Sequence, residues 1–131
     1  MRPRVWERDM ATIDGGCHCG AIRFTVPAPE ALTACNCSYC GRTGALWAYC
    51  DPADFTLTAK AGAPATYTFN TGMSVHHHCA TCGCATHGRV PGITNGMPDP
   101  TRPRIGWNAR MAIDFDRSAV PVTHVNGRTD W

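Results

Sequence analysis

No stretch of the chain is apolar for more than a few residues, far short of the roughly 20 that a membrane-crossing helix needs. Residues Met1 to Gly16 lack the apolar centre of a secretory signal and carry Arg2, Arg4, Glu7, Arg8, Asp9 and Asp14 instead. Charge of one sign is scarce as well. Twelve Lys and Arg stand against ten Asp and Glu for a formal charge of +2, and the basic residues are dispersed. A nucleic-acid partner would require a basic face that this distribution does not make. Also missing is any apolar stripe at helical spacing of useful length. These absences exclude a membrane span, a nucleic-acid module and a helical bundle.

What remains is β-rich. Period-two or β-branched runs recur at Ile22–Val26, Leu46–Tyr49, Phe55–Leu57, Thr66–Phe69 and Val120–Val125, with Gly and Pro between them. The pattern predicts an all-β fold of several small antiparallel sheets, with at most a short helix beside Cys40. Thirteen glycines and ten prolines in 131 residues suit one domain with many turns and a modest core. We read an N-terminal segment, 1–13, followed by a single domain, 14–131. The stretch Arg89–Arg104, with Pro91, Gly92, Gly96, Pro98, Pro100 and Pro103, is expected to be a surface loop, long enough to cover a pocket if it lies near the functional residues.

Nine cysteines dominate the chemistry. Eight fall in three tight clusters, Cys17-His-Cys19, Cys35-Asn-Cys37-Ser-Tyr-Cys40 and Cys79-Ala-Thr-Cys82-Gly-Cys84, and only Cys50 stands apart. Nine is odd, and cysteines one residue apart bridge each other only with strain, so a disulfide framework fits poorly. Two cysteines separated by one or two residues can turn both sulfurs toward one metal ion, and a second distant pair closes a tetrahedral cage around zinc. Cys17 and Cys19 with Cys79 and Cys82 make such a closed set. Stability should then depend on metal as well as on the core.

Cys35, Cys37 and Cys40 form a second set of three. Three protein ligands leave one tetrahedral position for water or substrate, the arrangement that separates catalytic from structural zinc. Spacing also allows Cys84, Cys50 or one of His76, His77 and His78 to fill that position. The three histidines cannot jointly face one ion from a regular strand, because neighbouring side chains alternate between faces. Their simplest reading is a strand leading into Cys79, and Cys50 reads as a buried apolar side chain.

These residues resemble the glutathione-dependent formaldehyde-activating enzyme family, which also contains the centromere protein V domain. GGCHCGAIRFTV resembles its opening motif, CNCSYCGRTGALWAY its central motif and HCATCGCATHGR its closing pair. Asn108-Ala-Arg110-Met111 and His124-Val-Asn-Gly127 are similar to its late segments. Gly41 stands where relatives commonly carry a basic residue, and Cys84 where a small or β-branched residue is more usual. The resemblance implies a β-tent-like fold stapled by zinc, with a structural ion on Cys17, Cys19, Cys79 and Cys82 and a more labile one on Cys35, Cys37 and Cys40. It also implies a reaction, in which formaldehyde and the thiol of glutathione form S-hydroxymethylglutathione, classed in reverse as a carbon–sulfur lyase.

On that reading Cys35, Cys37 and Cys40 are the catalytic set. Arg42 and Arg110 are candidates to hold the carboxylates of a small thiol, and Trp47 and Tyr49 either line the pocket or pack in the core. A soluble, reducing, cytoplasmic setting with two zinc ions per chain is expected. The alternative is a non-catalytic zinc module that binds a protein or another ligand. A fourth protein ligand at the second set would favour it.

Overall fold

The computed structural model describes residues 12–130. Of the N-terminal segment read from the sequence, residues 1–11 lie outside the described residues. Thr12 and Ile13 open the first strand.

Among the described residues eleven strands form two sheets. The smaller has four strands in the order β10-β1-β2-β5, with β1 at Thr12–Gly16, β2 at Ile22–Pro27, β5 at Thr56–Ala59 and β10 at Ala112–Ile113. The larger has seven in the order β11-β3-β4-β9-β8-β7-β6. Its members are β3 at Leu32–Cys35, β4 at Trp47–Cys50, β6 at Pro64–Tyr67, β7 at Val75–Cys79, β8 at Ala85–Thr94, β9 at Met97–Asn108 and β11 at Val122–Val125. One six-residue helix, α1 at Ser38–Thr43, follows β3. A shorter one, α2, spans Gly127–Asp130. The expected all-β class holds, and every predicted strand run overlaps an observed strand.

Alternation explains the core. In β2 the side chains of Ile22, Phe24 and Val26 turn inward and are buried, while Arg23 is exposed. Phe24 and Val26 meet Leu32, Ala48, Cys50, Ile105, Trp107 and Ala109 from the larger sheet side, so the main core lies between the sheets. Phe24 packs on Phe55 at 5.5 Å and on Trp107 at 5.9 Å between ring centroids. Gly15 is required opposite that ring, because a Cβ there would run into it.

Two findings depart from the sequence expectation. The Arg89–Arg104 stretch is not a loop: it is most of a long antiparallel hairpin, β8 of 10 residues and β9 of 12, turning at Asn95-Gly96. Both turn residues have positive φ, 53° and 77°, the conformation of a two-residue hairpin turn whose twist matches its strands. Its prolines are absorbed by an irregularity: the register passes from Pro91↔Pro103 to Gly92↔Asp99, so several residues of β9 bulge out where ladder bonds are lost. The second departure is the parallel pairing of β11 with β3, Leu32 opposite Val122 through Cys35 opposite Val125. All other strand pairs are antiparallel among the described residues.

Candidate metal centres and their surroundings

The four-thiol set joins two turns that are far apart in sequence. Cys17 and Cys19 lie in the turn from β1 to β2, Cys79 ends β7, and Cys82 lies in the turn from β7 to β8. Gly20 and Gly83, one residue past each pair, take left-handed conformations at φ 84° and 81° and let each turn curl back on its sulfurs. The four sulfurs lie within 4.8 Å of one another. Cys17 Sγ is 3.7 Å from Cys19 Sγ, which is 3.6 Å from Cys79 Sγ. A tetrahedron of thiolates around zinc, with bonds of about 2.3 Å, has edges of about 3.8 Å, so this donor set fits the ion.

Backbone amides also face the sulfurs. Ile22 N–H donates to Cys17 Sγ at 3.3 Å, and Thr81 and Cys82 N–H donate to Cys79 Sγ at 3.4 and 3.5 Å. Such donors stabilise thiolate over thiol. The amides of Cys19 and Cys84 do the same for Cys82, whose thiol is pulled down to about 5. Cys84 itself packs against the small core of Cys17, Ile22, Ala63 and Cys79, beside this set and outside the group of four.

The three-thiol set is built locally. Cys35 ends β3, Cys37 caps the N-terminus of α1 with its sulfur accepting from Cys40 N–H at 3.3 Å, and Cys40 sits in the helix. Cys37 N–H donates to Cys35 Sγ at 3.4 Å. The helix ends at Gly44, in the left-handed region at φ 69°, and its N–H bonds to the carbonyl of Cys40. From β4 the Trp47 indole Nε1–H donates to Cys40 Sγ at 3.3 Å. The three sulfurs lie within 4.8 Å of one another. Burial pushes the Cys40 thiol up to about 12 in spite of the indole, while the Cys40 amide and neighbouring thiols hold Cys37 below its usual range although burial works against them. Soft, converging sulfurs with amide support suit zinc here also.

Among the described residues no other Cys, His, Asp or Glu joins this trio. Cys50 is in the main core, Cys84 is at the other set, His76 lies tilted against Tyr39 at 4.2 Å, and His77 lies against His87 at 4.7 Å. His76, His77 and His78 are all on β7, the strand read from the sequence.

The expected accessory residues are placed unevenly. Trp47 is buried and touches the trio directly. Tyr49 is 45% exposed, with its ring over Gly106; burial of its inner side and the thiols of Cys40, Cys35 and Cys37 push its hydroxyl up to about 12. Arg42 is exposed and donates from Nη1 to the Ser38 carbonyl at 2.9 Å. Arg110 is exposed and donates from Nε to the Gly44 carbonyl at 2.5 Å, which places it at the C-terminal end of α1. No contact brings the two guanidinium groups together.

Sequence reasoning assigns no role to three residues that shape the trio. Asn36 accepts from Arg128 N–H at 3.0 Å and donates to Asn126 Oδ1 at 2.9 Å, fixing the loop between Cys35 and Cys37 against the end of β11. Asn108, 3% exposed, accepts from Leu46 and Arg110 N–H and donates to the Ala85 carbonyl, tying the start of β4 to β8 and to the turn that carries Arg110. The Asn-x-Arg motif is its visible signal. Tyr39 packs against the small core of Cys40, Ala45 and Trp47 and lies among the rings of Tyr67, Phe69 and His76.

Comparison with known proteins agrees with this construction. A crystal structure of a Rhodobacter sphaeroides protein superposes with a TM-score of 0.65 at 28% identity, covering 85% of this chain and 100% of that one. A Halomonas elongata protein named "Putative glutathione-dependent formaldehyde-activating enzyme" is 32% identical over 132 residues, 91% of this chain and 78% of the relative. Residues 12–100 match the family model described as glutathione-dependent formaldehyde-activating enzyme, a span that contains every cysteine of both sets. The chain belongs to the glutathione-dependent formaldehyde-activating enzyme family.

Proposed function

We propose that the protein is a zinc-dependent enzyme of the carbon–sulfur lyase type, joining glutathione to formaldehyde to give S-hydroxymethylglutathione. The observation that carries this reading is the contrast between the two thiol sets: one offers four sulfurs, the other three with no fourth protein donor among the described residues. The set of four is assigned to structural zinc, with Cys17, Cys19, Cys79 and Cys82 as ligands. Cys35, Cys37 and Cys40 are assigned to the catalytic ion.

Cys35, Cys37 and Cys40 would hold the zinc, which would act as a Lewis acid that lowers the pKa of a bound thiol. The chain's own residues do the rest. Trp47 and the amides of Cys37 and Cys40 hold the trio in place. Arg110, with Nε engaged by Gly44, has its terminal nitrogens to offer a glutathione carboxylate, and Arg42 offers a second cation on α1. In the reaction the sulfur forms a bond to the formaldehyde carbon, the carbonyl π bond breaks, and the proton lost by the thiol is balanced by one gained at oxygen. Proximity of the two reactants is the main source of rate. Nine thiols without a disulfide suit a reducing compartment, and we place the protein in the cytoplasm.

The test is formaldehyde addition to glutathione, followed by NMR exchange between free and adducted thiol with fully zinc-loaded protein. Faster exchange than in buffer, lost in Cys35→Ser and Cys40→Ser, supports the assignment. An uncatalysed rate with two ions bound would leave the protein a zinc-binding module.

A further inference from the structure

Beside the three-thiol set lies a feature that binding of a small polar substrate does not use. Tyr39 of α1 lies near Tyr67 at 6.0 Å, Phe69 at 5.6 Å and His76 at 4.2 Å between ring centroids, stacked on the first and tilted against the other two. Tyr67 and Phe69 lie 5.8 Å apart, and Phe69 and His76 5.5 Å. The planes are close to parallel throughout, with interplanar angles from 16° to 30°. The row is not sealed in the core. Tyr67 is 51% exposed and Phe69 37%, and Met73 nearby in sequence is 43% exposed.

Exposed aromatic rings grouped in one place signal binding far more than single exposed ones do. Two physical facts say what this group would bind. Near-parallel rings form a wall and not a cage, so they extend a stack onto another planar group and do not surround a cation. The group also includes Tyr39, which packs against the small core of Cys40, Ala45 and Trp47, so the rings begin beside one sulfur of the trio, within reach of a ligand anchored there by sulfur.

We infer that Tyr39, Tyr67, Phe69 and His76 form a subsite for a planar apolar group carried one carbon from the sulfur, extending the substrates to adducts of aromatic aldehydes. In such an adduct the thiol sulfur bonds to the aldehyde carbon and the former carbonyl oxygen becomes a hydroxyl; the lyase direction breaks that C–S bond and restores thiol and aldehyde. The aryl ring then sits one carbon from sulfur. This inference rests on the reading of the trio as a thiol-binding metal site.

Phenylmethanethiol places a ring at the same one-carbon spacing and needs no aldehyde. Cobalt-substituted protein is titrated with phenylmethanethiol and with ethanethiol, and the sulfur-to-metal absorption is followed. Phenylmethanethiol is expected to half-saturate the change at about tenfold lower concentration than ethanethiol, the ratio that one good ring contact supplies. Tyr67→Ala and Phe69→Leu should bring the two thiols together while leaving ethanethiol unchanged, and Tyr67→Phe should keep the preference. Equal half-saturation in the unaltered protein, or a preference that survives both Tyr67→Ala and Phe69→Leu, overturns the subsite and leaves the thiol site standing. If neither thiol changes the spectrum, the thiol-site reading fails first. A shift in sedimentation on Tyr67→Ala without any thiol preference would assign the wall to contact between copies and overturn the inference.

Discussion

Trp47 Nε1 donates to Cys40 Sγ at 3.3 Å, so the buried start of β4 is bonded directly to the most buried sulfur of the three-thiol set. The indole serves two purposes at once: its ring fills the small core with Cys40 and Ala45, and its N–H fixes where one ligand points. Trp47→Phe keeps most of the ring and removes the donor. Loss of a partner that orients a ligand weakens metal binding by about 10- to 100-fold. Competition with a chelator should show that loss for one ion per chain and leave the other unchanged. Equal affinity of the variant and the parent would deny Trp47 this role.

The two thiol sets should also differ in what they support. Cys17→Ser or Cys82→Ser should lower the melting temperature more than Cys37→Ser, because a closed zinc site contributes apparent binding energy of roughly 10–16 kcal/mol in small zinc domains. Elemental analysis should find two zinc ions in the parent, with the ion of the four-sulfur set retained longer under gentle chelation. Equal melting temperatures for all three variants at matched metal content would refute the division.

Acid should destabilise the protein partly through His87. Burial first, and then the nearby His77, lower its pKa from 6.5 to about 4; it is packed on Phe55, and its Nδ1 shares a hydrogen bond with Thr86 Oγ1. The folded form therefore resists protonation that the unfolded chain accepts. The resulting stability is complete above about pH 6.5 and is lost as pH falls toward 4, at a limiting slope of about 1.4 kcal/mol for each pH unit. His87→Gln should flatten the dependence of unfolding free energy on pH across that window, with zinc held constant. A residual slope is expected, since burial lowers His76 and His77 in the same direction. An unaltered slope would mean that His87 is free to take its proton when folded.

Asn108→Ala should cost about 1–3 kcal/mol in urea unfolding, because it leaves part-buried backbone groups of Leu46, Ala85 and Arg110 without their side-chain bonds. Arg110→Ala, which removes an exposed side chain, should cost much less. Equal losses would show that the side-chain bonds of Asn108 add nothing to stability.

Much of this architecture is legible in the chain, for identifiable reasons. Clustered cysteines can converge only on a few geometries, so both sets can be read from spacing, and Ile22-Arg-Phe24-Thr-Val26 announces a half-buried strand by its alternation alone. The hairpin β8–β9 escapes such a reading because four prolines outweigh Asn95-Gly96, although that pair is the stronger local signal; a bulge lets a strand carry prolines where no ladder bond is needed. The parallel β3–β11 pair and the bonds of Asn36 and Asn108 are out of reach, since they join residues whose meeting depends on the whole fold. The same is true of the aromatic wall, whose rings come from α1, β6, the segment after β6, and β7.

The bonds of Asn36 reach residues 90 and 92 positions later in the chain, beside a strand that pairs in parallel with β3. During synthesis Cys35, Cys37 and Cys40 therefore leave the ribosome long before the segment that braces them. The four-sulfur set is complete once Cys82 has emerged, some forty residues before β11. All seven sulfurs of the two sets have thus emerged while the segment that braces the loop between Cys35 and Cys37 is still to come. A chain stalled before Val122 would carry Cys35, Cys37 and Cys40 without the bonds that Asn36 makes to Asn126 and Arg128.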